Sequence, residues 1–313
     1  MKWIKEKTSI DFLSRKQRLI AAGVVVAAIA IAAISFATRG LELGIDFTGG
    51  ILLEVGYPEA AEIDRLRQLM DDAGFEDVQV QRFGAETDVL LRLPPQPEAD
   101  PNSIRNELSE VLSADRPGAE IRRVEFVGPQ VGADLREKGA TAMIYAVVMI
   151  FIYVMFRFQW KFAVGAVVAT AHDVIIVLGL FSIFGWQFDL TVLASVLAVI
   201  GYSLNDTVVV FDRVRENFAG LRGKTPEEVL NASINDTLSR TIMTGVTTLM
   251  VLTALYLIAG ETLKPFSLAL ILGVLVGTYS SIYVASATAL FLDIKAQDLM
   301  PSEKDSKLID DLP

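Results

Sequence analysis

Apolar residues in this chain gather into blocks of about twenty, the length at which a helix crosses a hydrocarbon core. Six blocks run over Leu19–Thr38, Gly139–Phe156, Phe162–Phe184, Leu190–Phe211, Thr241–Gly260 and Phe266–Leu292. Gly, Ser and Thr interrupt several of them, as spanning helices tolerate. The first block follows a basic start, which a signal peptide would also show. Its length, with no convincing A-x-A site after it, makes an uncleaved anchor the expectation.

Between the first and second blocks the pattern changes. Ile51–Gly56 reads as a short strand, and Ala60–Ala73 as a helix with Ile63, Leu66, Leu69 and Met70 on one face. Asp77–Phe83 and Asp88–Leu93 read as a hairpin turning at Gly84. Pro94, Pro95, Pro97 and Pro101 break the chain before a helix near Asn102–Leu112, and Glu120–Val127 returns as a strand. The order β-α-β-β-α-β is ferredoxin-like. The expected fold is therefore an α-helical polytopic membrane protein of six transmembrane helices, with a small α+β domain between helices 1 and 2.

Lys and Arg in the short connections set the orientation. Lys2, Lys5, Lys7, Arg15, Lys16 and Arg18 precede the first block, Arg157 and Lys161 follow the second, and Arg213, Arg215, Arg222 and Lys224 follow the fourth. The opposite connections hold no base at Gly185–Asp189 and only Lys264 near Glu261. Both termini are thus expected in the cytoplasm and residues 39–138 outside. The organisation that follows is a cytoplasmic segment 1–18, helix 19–38, the external domain 39–138, a five-helix bundle 139–292 with a cytoplasmic loop 213–237, and a cytoplasmic tail 293–313. A short surface helix is expected from Thr225-Pro226-Glu227-Glu228 to about Ser233, since Pro and acids suit a helix start.

With 52% hydrophobic residues among 313, the chain is too apolar for an ordinary soluble enzyme. Residues 39–138 hold 11 Lys and Arg against 21 Asp and Glu, so the whole net charge of −10 resides there. That acidity argues against nucleic-acid binding and against adhesion to anionic lipid. The absence of Cys removes disulfides, thiolate zinc sites and thiol catalysis.

Asp206 is the most informative residue. A carboxylate within a spanning segment costs roughly 2.5–3.5 kcal/mol on insertion scales unless it is paired, hydrated or protonated. Burial disfavours its charged form and an approaching cation favours it. Arg240, at the start of the fifth block, would serve as a movable counter-ion because a guanidinium stays charged. Asn205 and Thr207 flank the carboxylate, and Thr241, Thr244, Thr247 and Thr248 would hold water or hydrogen bonds along the route. A static ion pair, or an Asp satisfied by neighbouring hydroxyls, is the competing reading. Asp173, midway along the third helix, is equally a second relay carboxylate or a structural partner. His172, the sole histidine, reads first as a packing group and does not make a metal site. No metal and no cofactor is expected, only protons as coupling ion.

Two glycine-containing runs bracket the external domain. Gly44–Gly50 (GIDFTGG) includes Asp46, Phe47, Gly49 and Gly50, and Val127–Gly132 (VGPQVG) includes Gly128, Pro129 and Gly132. Both read as turns between membrane helix and sheet, or as hinges on which the domain swings. A nucleotide loop is not expected, because the first run lacks a Gly-Lys-Ser/Thr ending. Gly273 and Gly277 give the last helix a small-xxx-small face for close packing.

These two runs, together with His172-Asp173, Gly201–Arg215 (GYSLNDTVVVFDRVR) and Leu238–Thr241 (LSRT), resemble the SecD/SecF family of bacterial protein-export subunits, on its SecF side. The resemblance covers nearly the whole chain in order, and the membrane part is similar to the resistance-nodulation-division transporters. It implies a non-enzymatic subunit of the bacterial inner membrane. Such a subunit acts with SecD, and with YajC, to assist the SecYEG channel, drawing on the proton gradient to help preproteins complete their passage. It also implies that the family's coupling carboxylate and arginine fall at Asp206 and Arg240, and that residues 39–138 are a periplasmic domain. SecD's larger external domain is missing, so a separate subunit is expected and not a fused SecD–SecF chain. The alternative is a proton-coupled efflux transporter of the resistance-nodulation-division type, for which an external domain of this size leaves little room. A passive scaffold and an intramembrane protease are weaker, the latter because no paired catalytic set is present.

Overall fold

The computed structural model describes residues 8–95, 101–221 and 223–295. Lys2, Lys5, Lys7, Pro97, Arg222 and most of the expected tail lie outside the described residues. Among the described residues, six helices are long and apolar enough to cross a membrane. The first, α1 (Arg15–Thr38), leads into a two-residue strand β1 (Glu42–Leu43), a single helical turn α2 (Ile45–Thr48) and strand β2 (Gly50–Gly56). Helix α3 (Ile63–Asp72), strands β3 (Gln79–Phe83) and β4 (Ala85–Leu93), helix α4 (Pro101–Asp115) and strand β5 (Glu120–Val127) complete the external domain. The bundle continues with α5 (Pro129–Arg157), α6 (Trp160–Phe184), a short strand β6 (Gln187–Phe188), α7 (Leu190–Gly220) and α8 (Pro226–Ile258). The last span consists of α9 (Lys264–Ser280), a π-helical turn Ser281–Ala285 and α10 (Ser286–Phe291).

The external sheet is antiparallel in the order β3-β4-β2-β5, with two helices between its strands, as the ferredoxin-like expectation required. Strand alternation explains its two faces. Ile51, Leu53 and Val55 point to one side, where with Val89, Leu91 and Leu93 they bury against Leu66 and Met70 of α3 and Leu108 and Leu112 of α4. The intervening Leu52 and Glu54, with Leu90, Arg123 and Glu125, line a cleft of about 320 Å³ against the outer ends of the bundle. The domain therefore stands with its helix-free face over the membrane part. Arg92 fixes that stance by donating to the Leu43 carbonyl at 3.0 Å.

Tyr57 sits in the same core, only 5% exposed, and its hydroxyl has no hydrogen-bond partner. Burial, then the nearby Asp115 charge, pushes its phenol up to about 12, with Arg116 opposing. The folded domain thus favours the neutral phenol. That contribution is whole below the unfolded value near 10 and is lost as pH rises through about 12. Tyr57→Phe is expected to keep or raise stability at neutral pH, since an unpaired hydroxyl leaves the core. It should also remove the Tyr57 part of the alkaline loss; thermal unfolding in detergent at about pH 8 and pH 11 checks both.

Three helix boundaries differ from the sequence expectation, each for a local reason. α5 begins at Pro129, so residues placed in the external domain up to 138 form its first turns. Gly128 caps it in extended conformation, Pro at the first turn is pre-organised for helix, and nothing up to Gly139 stops it. α7 runs on to Gly220, which leaves only 221–225 as the connection where a loop 213–237 was expected. The short surface helix is instead the first part of α8: Thr225 and Glu228 form a capping box, and the helix continues unbroken into the fifth span. Arg240 consequently lies in the middle of a 33-residue helix and not at its start.

The extensions of α7 and α8 at the end of the bundle away from the sheet pair antiparallel through Arg213 to Asp236 at 2.8 Å and Asn217 Nδ2 to Ser233 Oγ at 2.9 Å. The segment before α1 is tied to the same extension. Ile10 and Phe12 donate their backbone N–H to the side-chain oxygens of Asn235 and Asn231 at 2.9 and 2.8 Å, and Asn235 returns a bond to the Ile10 carbonyl. Arg18 pairs with Glu227 at 2.8 Å. A core led by Phe162, Phe211, Val214 and Leu230 fills this end, and a second core led by Val177, Phe181, Val192 and Val196 fills the opposite one.

Candidate functional site

α7 is positioned by carboxylates at its outer end. Asp189 caps it, accepting from Val192 N at 2.8 Å. Asp46 of the GIDFTGG run reaches over and accepts from Leu190 N at 3.0 Å. Both satisfy amides that the helix cannot pair internally, and both favour the positive end of its dipole. The role of Asp46 at this helix end has no signal in the sequence, because the partners lie far apart along the chain.

Around that anchor the two glycine runs interlock. Phe47 is 4% exposed, stacks on Phe188 at 5.6 Å and joins the core of Val192, Leu193 and Val196. Gly49 and Gly50 have φ of 74° and 125°, a region L side chains rarely adopt. A Cβ on Gly49 would sit 2.8 Å from Pro129 Cα, and one on Gly132 would sit 2.7 Å from Gly49 N. Gly128 supplies the cap and Pro129 the first residue of α5 against this turn. The seven predicted motif residues thus gather in one joint between the sheet and the helix bundle.

Asp206 stands on the inner stretch of α7, 3% exposed, beside Thr207 at 1%. Its Oδ2 is buried with no hydrogen-bond partner among the described residues. The α7–α8 pairing brings Arg240 opposite it, and the guanidinium charge reaches the carboxylate through space without closing an ion pair. Arg240 and Asn205 are exposed on the surface of this single chain. Because α7 extends to Gly220, Asp206 lies about four turns from that end of the helix. Thr244 and Thr247 donate to the carbonyls of Arg240 and Met243 one turn back, at 3.0 and 2.9 Å, so their protons are committed to their own helix.

Asp173 is placed differently. It is wholly buried, and its oxygens are partnered: Oδ1 lies 3.0 Å from His172 Nδ1, while Oδ2 accepts from Ser203 of α7 at 2.5 Å and Ser280 of α9 at 2.8 Å. The two serines were not foreseen. Ser203 was signalled by its place one turn before Asp206, whereas nothing local marks Ser280. Gly273 and Gly277 allow this approach: a Cβ on Gly273 would overlap the Val199 side chain, and one on Gly277 would meet Ser203 Cβ at 3.0 Å.

The model of the protein-export membrane protein SecD/SecF C-terminal family matches residues 107–295, and that of the SecD/SecF GG motif matches residues 34–57. The first alone spans more than half of the chain. The chain belongs to the SecD/SecF family. It is 46% identical to protein translocase subunit SecF of Pseudomonas aeruginosa, over 97% of this chain and 98% of that protein. It is also 46% identical to SecF of Vibrio alginolyticus, over 91% of each. Among solved structures it resembles SecDF from Thermus thermophilus, a translocon-associated membrane protein, with a TM-score of 0.84 and 36% identity over 93% of this chain. It covers 39% of that SecDF chain, and 41% of a SecDF in the super-membrane-facing form, where the TM-score is 0.68 and the identity 33% over 98% of this chain. SecDF therefore carries a long additional segment beside the part this family member matches.

Proposed function

We propose that the chain is the SecF-type auxiliary subunit of a bacterial Sec export machine, working with a SecD partner to turn proton movement into preprotein transport. The observation that carries this reading is the Asp206–Arg240 arrangement. A buried carboxylate with a free oxygen faces a guanidinium that is near but unpaired. Such a pair has two arrangements, closed with the carboxylate ionised and open with it protonated, and a proton changes their balance. One charge crossing 100 mV supplies about 2.3 kcal/mol, so a few protons drive a modest domain motion. The route outward is the α7 rod, whose outer end holds Asp46 and so the joint beneath the external domain.

Partnership with SecD is supported by the exposure of Arg240 and Asn205 within a spanning helix pair. A guanidinium facing lipid is expensive, and a second membrane subunit would cover it. The family resemblance supports SecYEG, YajC and the translocating preprotein as the remaining partners of this proposal. The basic connections favour both termini on the cytoplasmic side and the sheet domain on the other, which in an inner-membrane subunit is the periplasm. The ties from Ile10 and Phe12 to α8 keep the amino-terminal segment on the side of the α7–α8 turn, in agreement. The subunit acts without cofactor, the proton being its coupling ion, and performs no enzymatic reaction. The efflux alternative is not favoured, since the relatives described above carry protein-export names.

The test is export into membrane vesicles from cells depleted of SecF and supplied with this chain. Export is expected to regain its dependence on the proton gradient, and the chain to co-purify with SecD. Export that is restored equally with the gradient collapsed would overturn the coupling, and efflux of a small molecule with no gain in export would overturn the assignment.

A further inference from the structure

We propose that Asp173 is a second proton-accepting group of the membrane path, coupled to Asp206 because the two carboxylates compete for the single proton of Ser203. The inference rests on the reading of Asp206 as the coupling carboxylate.

Asp173 draws three helices together at one point. Its own α6 supplies His172, α7 supplies Ser203 and α9 supplies Ser280. Ser203 and Asp206 are three residues apart on α7, so they are neighbours on one face, and both are buried. A hydroxyl has one proton to give. Ser203 gives it to Asp173, and Asp206 Oδ2 is left without a donor. Ser280 has an alternative acceptor in the Gly277 carbonyl at 3.1 Å, and it stands directly before the π-helical turn Ser281–Ala285. Such turns relax the ordinary helix hydrogen-bond ladder. Both donors of Asp173 can therefore turn elsewhere without being orphaned.

The exchange balances with one added proton. When Asp173 takes a proton, its new O–H donates to Ser203 Oγ. The Ser203 O–H is then free to rotate onto Asp206 Oδ2, where it stabilises the ionised form. When Asp173 releases its proton, Ser203 turns back and Asp206 loses that donor. No covalent bond other than the O–H of Asp173 forms or breaks. The titratable and charged groups around this exchange are His172 on α6, Tyr202 and Asp206 on α7, Arg240 on α8 and Tyr279 on α9. The Tyr279 ring centroid is 6.5 Å from that of His172, and its hydroxyl donates to Ala21 of α1 at 3.4 Å. The Tyr202 hydroxyl is buried without a partner.

The experiment is infrared difference spectroscopy across pH on the full chain assembled with SecD in lipid, following the carbonyl stretch of protonated carboxyl groups. The parent is expected to show two titrating bands from buried carboxyls. Asp173→Asn should remove one and move the midpoint of the other by about one pH unit, the scale at which two sites titrate as a pair. Ser203→Ala keeps both carboxyls and should leave both bands with their midpoints uncoupled, while Ser203→Thr restores the coupling. Ser203→Ala carries the test should Asp173→Asn fail to assemble. A parent-like spectrum in Asp173→Asn, with a band lost in Asp206→Asn, overturns this inference and leaves the Asp206 reading standing. No band lost in Asp206→Asn overturns both.

Discussion

Asp206→Asn is expected to reduce export in energised vesicles to the rate seen without a gradient, while the subunit still assembles with SecD. Asn matches Asp in shape but cannot take up or release a proton. The change removes no hydrogen bond from Oδ2, which has none to lose, so the folded chain has no reason to fall apart. What disappears is the response of the α7–α8 pair to protonation. Each proton crossing 100 mV contributes about 2.3 kcal/mol, equivalent to roughly fifty-fold in rate, which sets the scale of the gradient-dependent component at stake. Arg240→Gln removes the counter-ion and should have a similar effect by the opposite route, leaving the carboxyl without the charge that favours its ionised form. Export rates at matched protein levels, with co-purification as control, decide the matter. Full gradient-dependent export by Asp206→Asn would remove the basis for a proton relay at this position.

Gly50→Ala is expected to be among the most destabilising single-methyl additions in the chain. The backbone there has φ of 125°, which non-glycine residues avoid at a cost of about 1–3 kcal/mol. The added Cβ would also run into the Leu93 carbonyl oxygen, which belongs to the neighbouring strand β4 and cannot simply turn away. Relief requires β2 to shift, and β2 is central in the sheet with a partner on either side. The expected result is faster protease cleavage of the external domain and a lower melting temperature in detergent. Gly23→Ala on α1, where nothing lies within 4 Å of the new methyl, is the control and should behave as the parent. Equal protease resistance in the two variants would show that the joint tolerates being remodelled.

Much of this architecture was legible because lipid leaves few options. A spanning segment must satisfy its own backbone, so apolar blocks of about twenty residues announced all six spans, and the short apolar runs and turn residues between the first two announced the sheet. Helix ends were less legible. Residues 213–237 are rich in polar groups, and polarity reads as a loop, yet α7 and α8 continue through them because Val214, Phe218, Leu230 and Ile234 bury in a common core, with Arg213 and Asp236 paired beside it. Asp206 was conspicuous because a buried acid in such a segment is costly. The partners of Asp173 were not, because Ser203 and Ser280 lie 30 and 107 residues away from it and meet it only once three helices pack. The joint was visible as glycine content alone; that Gly132 presses on Gly49 is a fact of three-dimensional packing.

The clasp of Ile10 and Phe12 on Asn235 and Asn231 sets a timetable for biogenesis. Its halves are separated by 225 and 219 residues, so the N–H groups of Ile10 and Phe12 lack these acceptors until α8 has been synthesised. At typical elongation speeds that wait is roughly 10–45 s. During it the segment before α1 is held without the two side-chain acceptors that fix it against α8 in the folded chain.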